Sequence, residues 1–232
     1  MLQTASFTTP RIAIKICCIA SEQEAHTALS SGVTALGLVS AMPSGPGPIS
    51  EERIAEIVRI IPAGTDSFLL TSLTDPTAIA EQHKRCGTTT IQLVDRVLLD
   101  ALKRLRDSLP DVKLVQVIHV MDAHSVDEAL QCAPLVDALL LDSGRPDAKT
   151  RELGGTGRVH DWSLSREIVD QASRPVWLAG GLKPENVAGA IELVRPYGVD
   201  VCSGVRTNGT LDEEKVRRFV SAVRGGASAS LR

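Results

Sequence analysis

The stretch KLVQVIHVMDAHSVDEALQCAPLVDALLLDS, residues 113–143, has the pattern of a strand, a helix and a second strand. Its ends, 113–120 and 138–143, are short and almost continuously aliphatic, as strands covered on both faces are. Between them, the segment 125–135 spaces its apolar residues along one face of a helix. A strand, a helix and a further strand in this order predict a parallel βαβ unit.

The same alternation extends in both directions from this unit. Further aliphatic runs are IAIKICC (12–18), ALGLVS (35–40), SFLLTS (67–72), TIQLV (90–94), PVWLAG (175–180) and GVDVCS (198–203). Amphipathic segments separate them, and the first of these, SEQEAHTALSSG (21–32), begins with a capping box and ends on glycine. No linker or change in composition divides the chain.

Eight consecutive strand–helix units predict a single-domain α/β fold, an eight-stranded parallel (β/α)8 or TIM barrel covering residues 1–232. Residues 1–10 and 225–232 are expected to be flexible tails. The alternative is an open, doubly wound sheet. No GxGxxG motif follows the first strand, which weakens a dinucleotide-binding version of that alternative.

The composition is that of an ordinary globular protein. The 232 residues are 43% hydrophobic and carry a formal charge of −3, which favours neither nucleic acid nor an anionic membrane as partner. We see no secretory signal and no apolar run long enough to span a bilayer. Five cysteines without metal-type spacing fit free thiols in a reducing cytoplasm; they are Cys17, Cys18, Cys86, Cys132 and Cys202.

Glycines mark the ends of the last two strands, which read LAGGL (178–182) and VDVCSGV (199–205). In barrels, the loops after strands seven and eight commonly bind phosphate through exposed backbone amides. These loops therefore predict a phosphate site, unless the glycines only permit tight turns. The residues assigned to it are Gly180, Gly181, Ser203 and Gly204.

Two further strands end in groups capable of proton transfer. Asp142 ends the sixth strand, and a half-buried carboxylic acid with a raised pKa suits a general acid. The alternative is that Asp142 is a solvent-exposed cap on the following loop, without a catalytic role. Cys17 ends the first strand, with Lys15 on the same face to favour a thiolate, although most single cysteines are inert packing. Alternation predicts that Cys18 faces the helix layer or shapes the following turn, but a bulge would exchange the two cysteines, so which of them lines the mouth stays open.

Several motifs together resemble the phosphoribosylanthranilate isomerase family over nearly the whole chain. They are KIC (15–17), LLLDS (139–143), GGTGRVHDW (154–162), LAGGLKPENV (178–187) and VRPYGVDVCSGV (194–205). The resemblance implies an Amadori rearrangement of N-(5-phosphoribosyl)anthranilate in tryptophan biosynthesis, without a metal or redox cofactor. It also implies that Cys17 is the general base and Asp142 the general acid.

The resemblance assigns the remaining site residues as well. Phosphate contacts fall on Gly180–Gly181 and on Cys202, Ser203 and Gly204, and Asp200 becomes a substrate or structural contact. The long segment 144–162 is expected to close over a ligand. The expected partner is a small phosphorylated substrate, and the chain is expected to be a monomer or homodimer.

The chain departs from the family pattern at four places. Cys18 stands where KICG has glycine, Asp95 follows QLV where the family reads QLHG, and Arg206 replaces the glutamate after SGV. No basic residue lies in SAMPSGPGPIS (40–50), where the family has an arginine that pairs with the anthranilate carboxylate. Candidates for carboxylate or substrate contacts are Lys15, Asp95, Arg145 and Arg206.

Three interpretations follow from the sequence. The first is the family isomerase with a rebuilt carboxylate pocket. The second is a sibling enzyme for another phosphosugar or phosphorylated aminosugar. The third is a non-catalytic protein that binds a phosphate ligand.

Overall fold

The computed structural model describes residues 11–144 and 160–229 of the chain. Eight parallel strands follow one another in chain order around a closed barrel, which confirms the predicted fold over an open sheet. The strands are β1 (Ala13–Ile16), β2 (Ala35–Val39), β3 (Asp66–Thr71), β4 (Thr90–Leu93), β5 (Lys113–His119), β6 (Ala138–Asp142), β7 (Val176–Leu178) and β8 (Gly198–Val201). A short antiparallel pair, β9 (Arg206–Thr207) and β10 (Thr210–Leu211), follows β8.

A helix follows each barrel strand. The helices are α1 (Glu22–Ser30), α2 (Glu51–Ile60), α3 (Pro76–Cys86), α4 (Leu99–Ser108), α5 (His124–Cys132), α6 (Trp162–Gln171), α7 (Val187–Val194) and α8 (Glu213–Ala229). The last helix runs to Ala229, further than the sequence predicted. Residues 1–10 and 230–232 of the predicted tails lie outside the described residues. No helix in the described ranges is both long and apolar enough to cross a bilayer.

Local signals explain where the helices begin and end. The Ser21 hydroxyl accepts a hydrogen bond from the amide of Glu24, whose carboxylate in turn accepts one from the amide of Ala20. The first bond is the predicted serine cap, whereas the glutamate reaches the amide before the cap instead of the cap amide of a strict capping box. Asp75 caps α3 in the same way, and Gly87 ends that helix in the left-handed conformation.

Alternation along each strand separates two layers. In β1, Ile14 and Ile16 pack outward against the helices, whereas Ala13 and the residue beyond the strand, Cys17, belong to the barrel interior. Lys15 shares this inward register and is fully buried. The functional side chains therefore lie on the inner face, at the carboxyl ends of the strands.

Aromatic side chains fill the amino-terminal end of the barrel. The ring of Trp177 lies edge-on to Phe68 and to Tyr197, at centroid distances of 5.7 and 5.5 Å. A Cβ atom at Gly198 would lie 2.6 Å from the indole, so only glycine leaves room for it. This aromatic layer is a packed floor, and the opposite end of the barrel carries the open cavity.

Candidate active site

A cavity opens at the carboxyl ends of the strands. It brings together Cys17 after β1, Asp142 at the end of β6 and Cys202 after β8, three of the residues predicted from the sequence. The remaining lining residues are Cys18, Val39, Met42, Ser44, Gly45, Pro46, Leu70, Gln92, Val94 and Val117. A thiol and a carboxyl group from distant parts of the chain therefore face one space.

The position of Cys17 depends on both neighbouring strands. Its amide donates a 2.8 Å hydrogen bond to the carbonyl of Val201, which extends the β1–β8 pairing by one residue. On the other side, a Cβ atom at Gly37 would lie 2.9 Å from the Sγ of Cys17 and 3.1 Å from the Cε of Lys15. Sequence analysis missed Gly37, although a glycine inside a strand often marks such a close approach.

Lys15 forms a buried ion pair below the cavity. Its Nζ lies 2.7 Å from Oδ2 of Asp200 and 2.8 Å from Oε1 of Gln92. Burial alone would lower the pKa of Lys15, but the Asp200 carboxylate, helped by the thiols of Cys17 and Cys18, raises it overall. Neither Lys15 nor Asp200 lines the cavity. Both were predicted as possible substrate contacts, and the structure binds them to each other.

Cys18 lies in the turn after β1. Its φ of +63° is left-handed, a conformation that costs a side chain about 1–2 kcal/mol. This turn directs the Cys18 thiol into the cavity, so of the two predicted alternatives Cys18 shapes the turn after β1 and does not face the helix layer. There the thiol lies within hydrogen-bonding reach of the sulfurs of Cys17 and Cys202, and these interactions together with burial raise the pKa of Cys18 well above its usual range.

Asp142 lies beside His119, its register partner on β5. Asp142 is half-buried, and desolvation by the surrounding protein raises its pKa. A hydrogen bond from the amide of Ser143 and the imidazole of His119 oppose this effect without cancelling it. His119 is held by a 3.0 Å hydrogen bond between its Nε2 and the carbonyl of Val94, the position at which the QLHG motif has its histidine.

The loops after β7 and β8 contact each other at the same end of the barrel. A Cβ atom at Gly204 would lie only 2.0 Å from the carbonyl oxygen of Leu182, so any other residue would separate the two loops. Gly180 and Gly181 have φ values of +82° and +62°. Ser203 begins the short helical turn after β8, directly after Cys202 of the cavity lining.

Arg206 and Asp95, two further predicted contacts, are not among the residues that line the cavity. Nη1 of Arg206 lies 2.7 Å from the Glu24 carboxylate, and its Nη2 donates to the carbonyl of Cys18. Asp95 is buried, and its carboxylate accepts a 2.9 Å hydrogen bond from the amide of Arg96. Arg145, with most of the segment 144–162, lies outside the described residues.

Comparisons with known proteins agree with this geometry. Residues 14–222 match the family model described as N-(5'-phosphoribosyl)anthranilate isomerase. N-(5'-phosphoribosyl)anthranilate isomerase 2 of Methanosarcina mazei is 39% identical over 209 residues, covering 89% of this chain and 92% of that protein. The isomerase of Methanocella arvoryzae is 35% identical over 212 residues, covering 91% and 97%.

Solved structures give the same result. The phosphoribosylanthranilate isomerase of Thermotoga maritima superposes with a TM-score of 0.80 at 27% identity, covering 92% of this chain and 99% of that one. A phosphoribosylanthranilate isomerase solved with reduced 1-(o-carboxyphenylamino)-1-deoxyribulose 5-phosphate superposes with a TM-score of 0.77 at 26% identity, with the same coverage. The chain therefore belongs to the N-(5'-phosphoribosyl)anthranilate isomerase family.

Proposed function

We propose that this protein catalyses the Amadori rearrangement of N-(5'-phosphoribosyl)anthranilate, a step of tryptophan biosynthesis. The observation that carries the proposal is the shared cavity: Cys17 and Asp142, from different sides of the barrel, line one space. Family membership supports the same reaction. Free cysteines throughout the described ranges fit a cytoplasmic enzyme, and a monomer or homodimer remains the prediction.

Asp142 is the general acid in this proposal. Its raised pKa keeps a larger fraction of the carboxyl group protonated near neutral pH. Transfer of that proton to the furanose ring oxygen breaks the bond between this oxygen and C1'. The nitrogen lone pair then forms the protonated Schiff base, and Asp142 is left as a carboxylate.

Cys17 is the general base. As a thiolate it takes the proton from C2' of the Schiff base, and the electrons of that bond form the enolamine. The enolamine then gains a proton at C1' and loses one from the hydroxyl on C2', which gives the ketone.

The ends of the substrate differ in how the protein would hold them. Backbone amides around Gly180–Gly181 and Cys202–Gly204 suit the phosphate, which needs several short-range donors. The wall formed by Met42, Gly45 and Pro46 faces the other end, and the segment 40–50 supplies no cation to pair with a carboxylate. This wall favours, as a second candidate, a phosphorylated aminosugar without the anthranilate carboxylate.

Steady-state kinetics on N-(5'-phosphoribosyl)anthranilate tests the proposal. We expect turnover that Cys17→Ala lowers about 10²–10⁴-fold, the usual contribution of a general base. The gene should also restore growth of a tryptophan auxotroph that lacks this step. Absence of turnover and of growth, with a folded protein, would favour the second candidate. Activity of the wild type that survives unchanged in Cys17→Ala would remove Cys17 as the base.

A further inference from the structure

Three of the five cysteines meet at the cavity although 184 positions separate Cys18 from Cys202. Barrel closure brings them together, because β1 pairs with β8 and the amide of Cys17 continues that ladder. Continued past the strand ends, this register places Cys17 opposite Cys202. Cys18 follows in a left-handed turn that brings its thiol into the same cavity.

The thiols of Cys18 and Cys202 are already in contact. The Cys18 thiol donates a hydrogen bond to the Cys202 sulfur, and this bond lowers the pKa of Cys202 against the opposing effect of burial. The guanidinium of Arg206 also favours the thiolate, while the Asp200 carboxylate opposes it. Of the two neighbouring thiols, Cys202 therefore has the lowered pKa and Cys18 the raised one, which favours Cys202 as the sulfur that is oxidised first and Cys18 as its partner in a disulfide.

The backbone holds Cys18 in this position. Its left-handed conformation turns the side chain inward, and Arg206, itself paired with Glu24, binds the Cys18 carbonyl. A disulfide between Cys17 and Cys18 is disfavoured, because adjacent cysteines bridge only with strain. Among residues 11–144 and 160–229, no cluster of histidine, cysteine or acidic residues has an arrangement that could hold a metal ion.

We propose that Cys18 and Cys202 form an oxidisable thiol pair, a modification site for hydroperoxides at the mouth of the barrel. The Cys202 thiolate attacks the peroxide, the O–O bond breaks, and sulfenic acid forms on Cys202 while an alcohol or water leaves. The Cys18 sulfur then displaces hydroxide from the Cys202 sulfur, and the Cys18 proton leaves with that hydroxide as water. Two thiols are oxidised to one disulfide, and one hydroperoxide is reduced.

A disulfide between Cys18 and Cys202 would also change access to the cavity. It covalently joins the ends of β1 and β8 beside the Cys17 thiol, on the cavity wall. Oxidation should therefore abolish ligand access to Cys17, and a reducing dithiol should restore it. The chemistry of the pair does not depend on the proposed isomerase reaction.

Mass spectrometry of the full chain tests the proposal independently of activity. The reduced protein is treated with hydrogen peroxide, remaining thiols are alkylated, and linked peptides are identified. We expect loss of two hydrogen atoms, a cross-link between the peptides containing Cys18 and Cys202, and complete reversal by dithiothreitol. An uncrosslinked protein in which Cys202 proceeds to sulfinic acid would overturn the proposal.

Two variants decide which sulfur of the first strand takes part. Cys18→Gly suits the left-handed backbone at this position, so it should fold, and it should abolish the cross-link. Cys17→Ala should retain the cross-link. The reverse pattern would assign the bridge to Cys17 and overturn the proposal. Cys132→Ser, on α5 away from the cavity, is the control and should oxidise as the wild type does.

Discussion

Two carboxylates inside the same barrel have opposite surroundings. Asp200 on β8 lies 2.7 Å from a fully buried ammonium, so its charge is paired within the core. Asp142 on β6 makes no ion pair with any described residue, and burial raises its pKa. The difference shows that a cation at hydrogen-bond distance decides whether an interior carboxylate stabilises the fold or is available as an acid.

The largest expected effect is on the catalytic rate, and it concerns Asp142, the proposed acid. Asp142→Asn should lower kcat/KM for N-(5'-phosphoribosyl)anthranilate about 10²–10⁴-fold, because the amide cannot donate the proton. Its unfolding free energy should not fall, since a neutral amide is easier to bury than a carboxylate. Asp111→Asn, an exposed change before β5, is the control. A variant with unimpaired turnover would remove Asp142 as the acid.

For Asp200, the expected effect is on the unfolding free energy. Asp200→Asn leaves the Lys15 ammonium buried without its carboxylate and should lower the unfolding free energy by about 3–5 kcal/mol. The double variant Lys15→Met/Asp200→Leu removes both charges and should recover most of that loss. Urea denaturation measures both values. Equal stability of Asp200→Asn and the wild type would show that the pair does not support the fold.

The pH dependence of stability should also distinguish the wild type from Asp142→Asn. A group whose pKa is raised on folding stabilises the native state fully only below its unfolded pKa, about 3.9 for aspartate. That contribution is lost as pH rises through the raised pKa of the folded protein. The variant should therefore gain stability relative to the wild type from about pH 4 upward. A difference that is constant with pH would contradict the raised pKa.

The smallest expected effect on the unfolding free energy is that of an exposed ion pair. Arg53 and Glu56 on α2 lie 2.8 Å apart, but about half of each side chain is exposed to solvent. Water screens such a pair, so Arg53→Ala should change the unfolding free energy by less than about 0.5 kcal/mol. Thermal denaturation at two salt concentrations measures this. A loss comparable to that of Asp200→Asn would show that distance, rather than burial, decides the strength of a pair.

Periodicity in the sequence was sufficient to predict the barrel and the ends of its strands. Aliphatic runs of strand length separated by amphipathic segments leave few other folds, and function then belongs at the carboxyl ends. This reasoning located Asp142 and Cys17, each in or directly after a strand, and the family resemblance added Cys202. The structure places all three around one cavity.

The remaining features depend on information that periodicity does not contain. The inward thiol of Cys18 follows from a positive φ, which alternation does not predict. The pairing of Lys15 with Asp200 joins residues 185 positions apart and requires closure of the ring. The need for glycine at position 37 follows from the packing of the Lys15 and Cys17 side chains against it, which the sequence alone does not show.

The packed floor built from Trp177, Phe68 and Tyr197 has a kinetic consequence. Molecules cannot pass through the barrel, so whatever enters from the open end must depart by the same route. A product molecule that lingers there blocks the next arrival, and it should behave as a competitive inhibitor. Product must therefore dissociate through the open end before the next substrate molecule can bind.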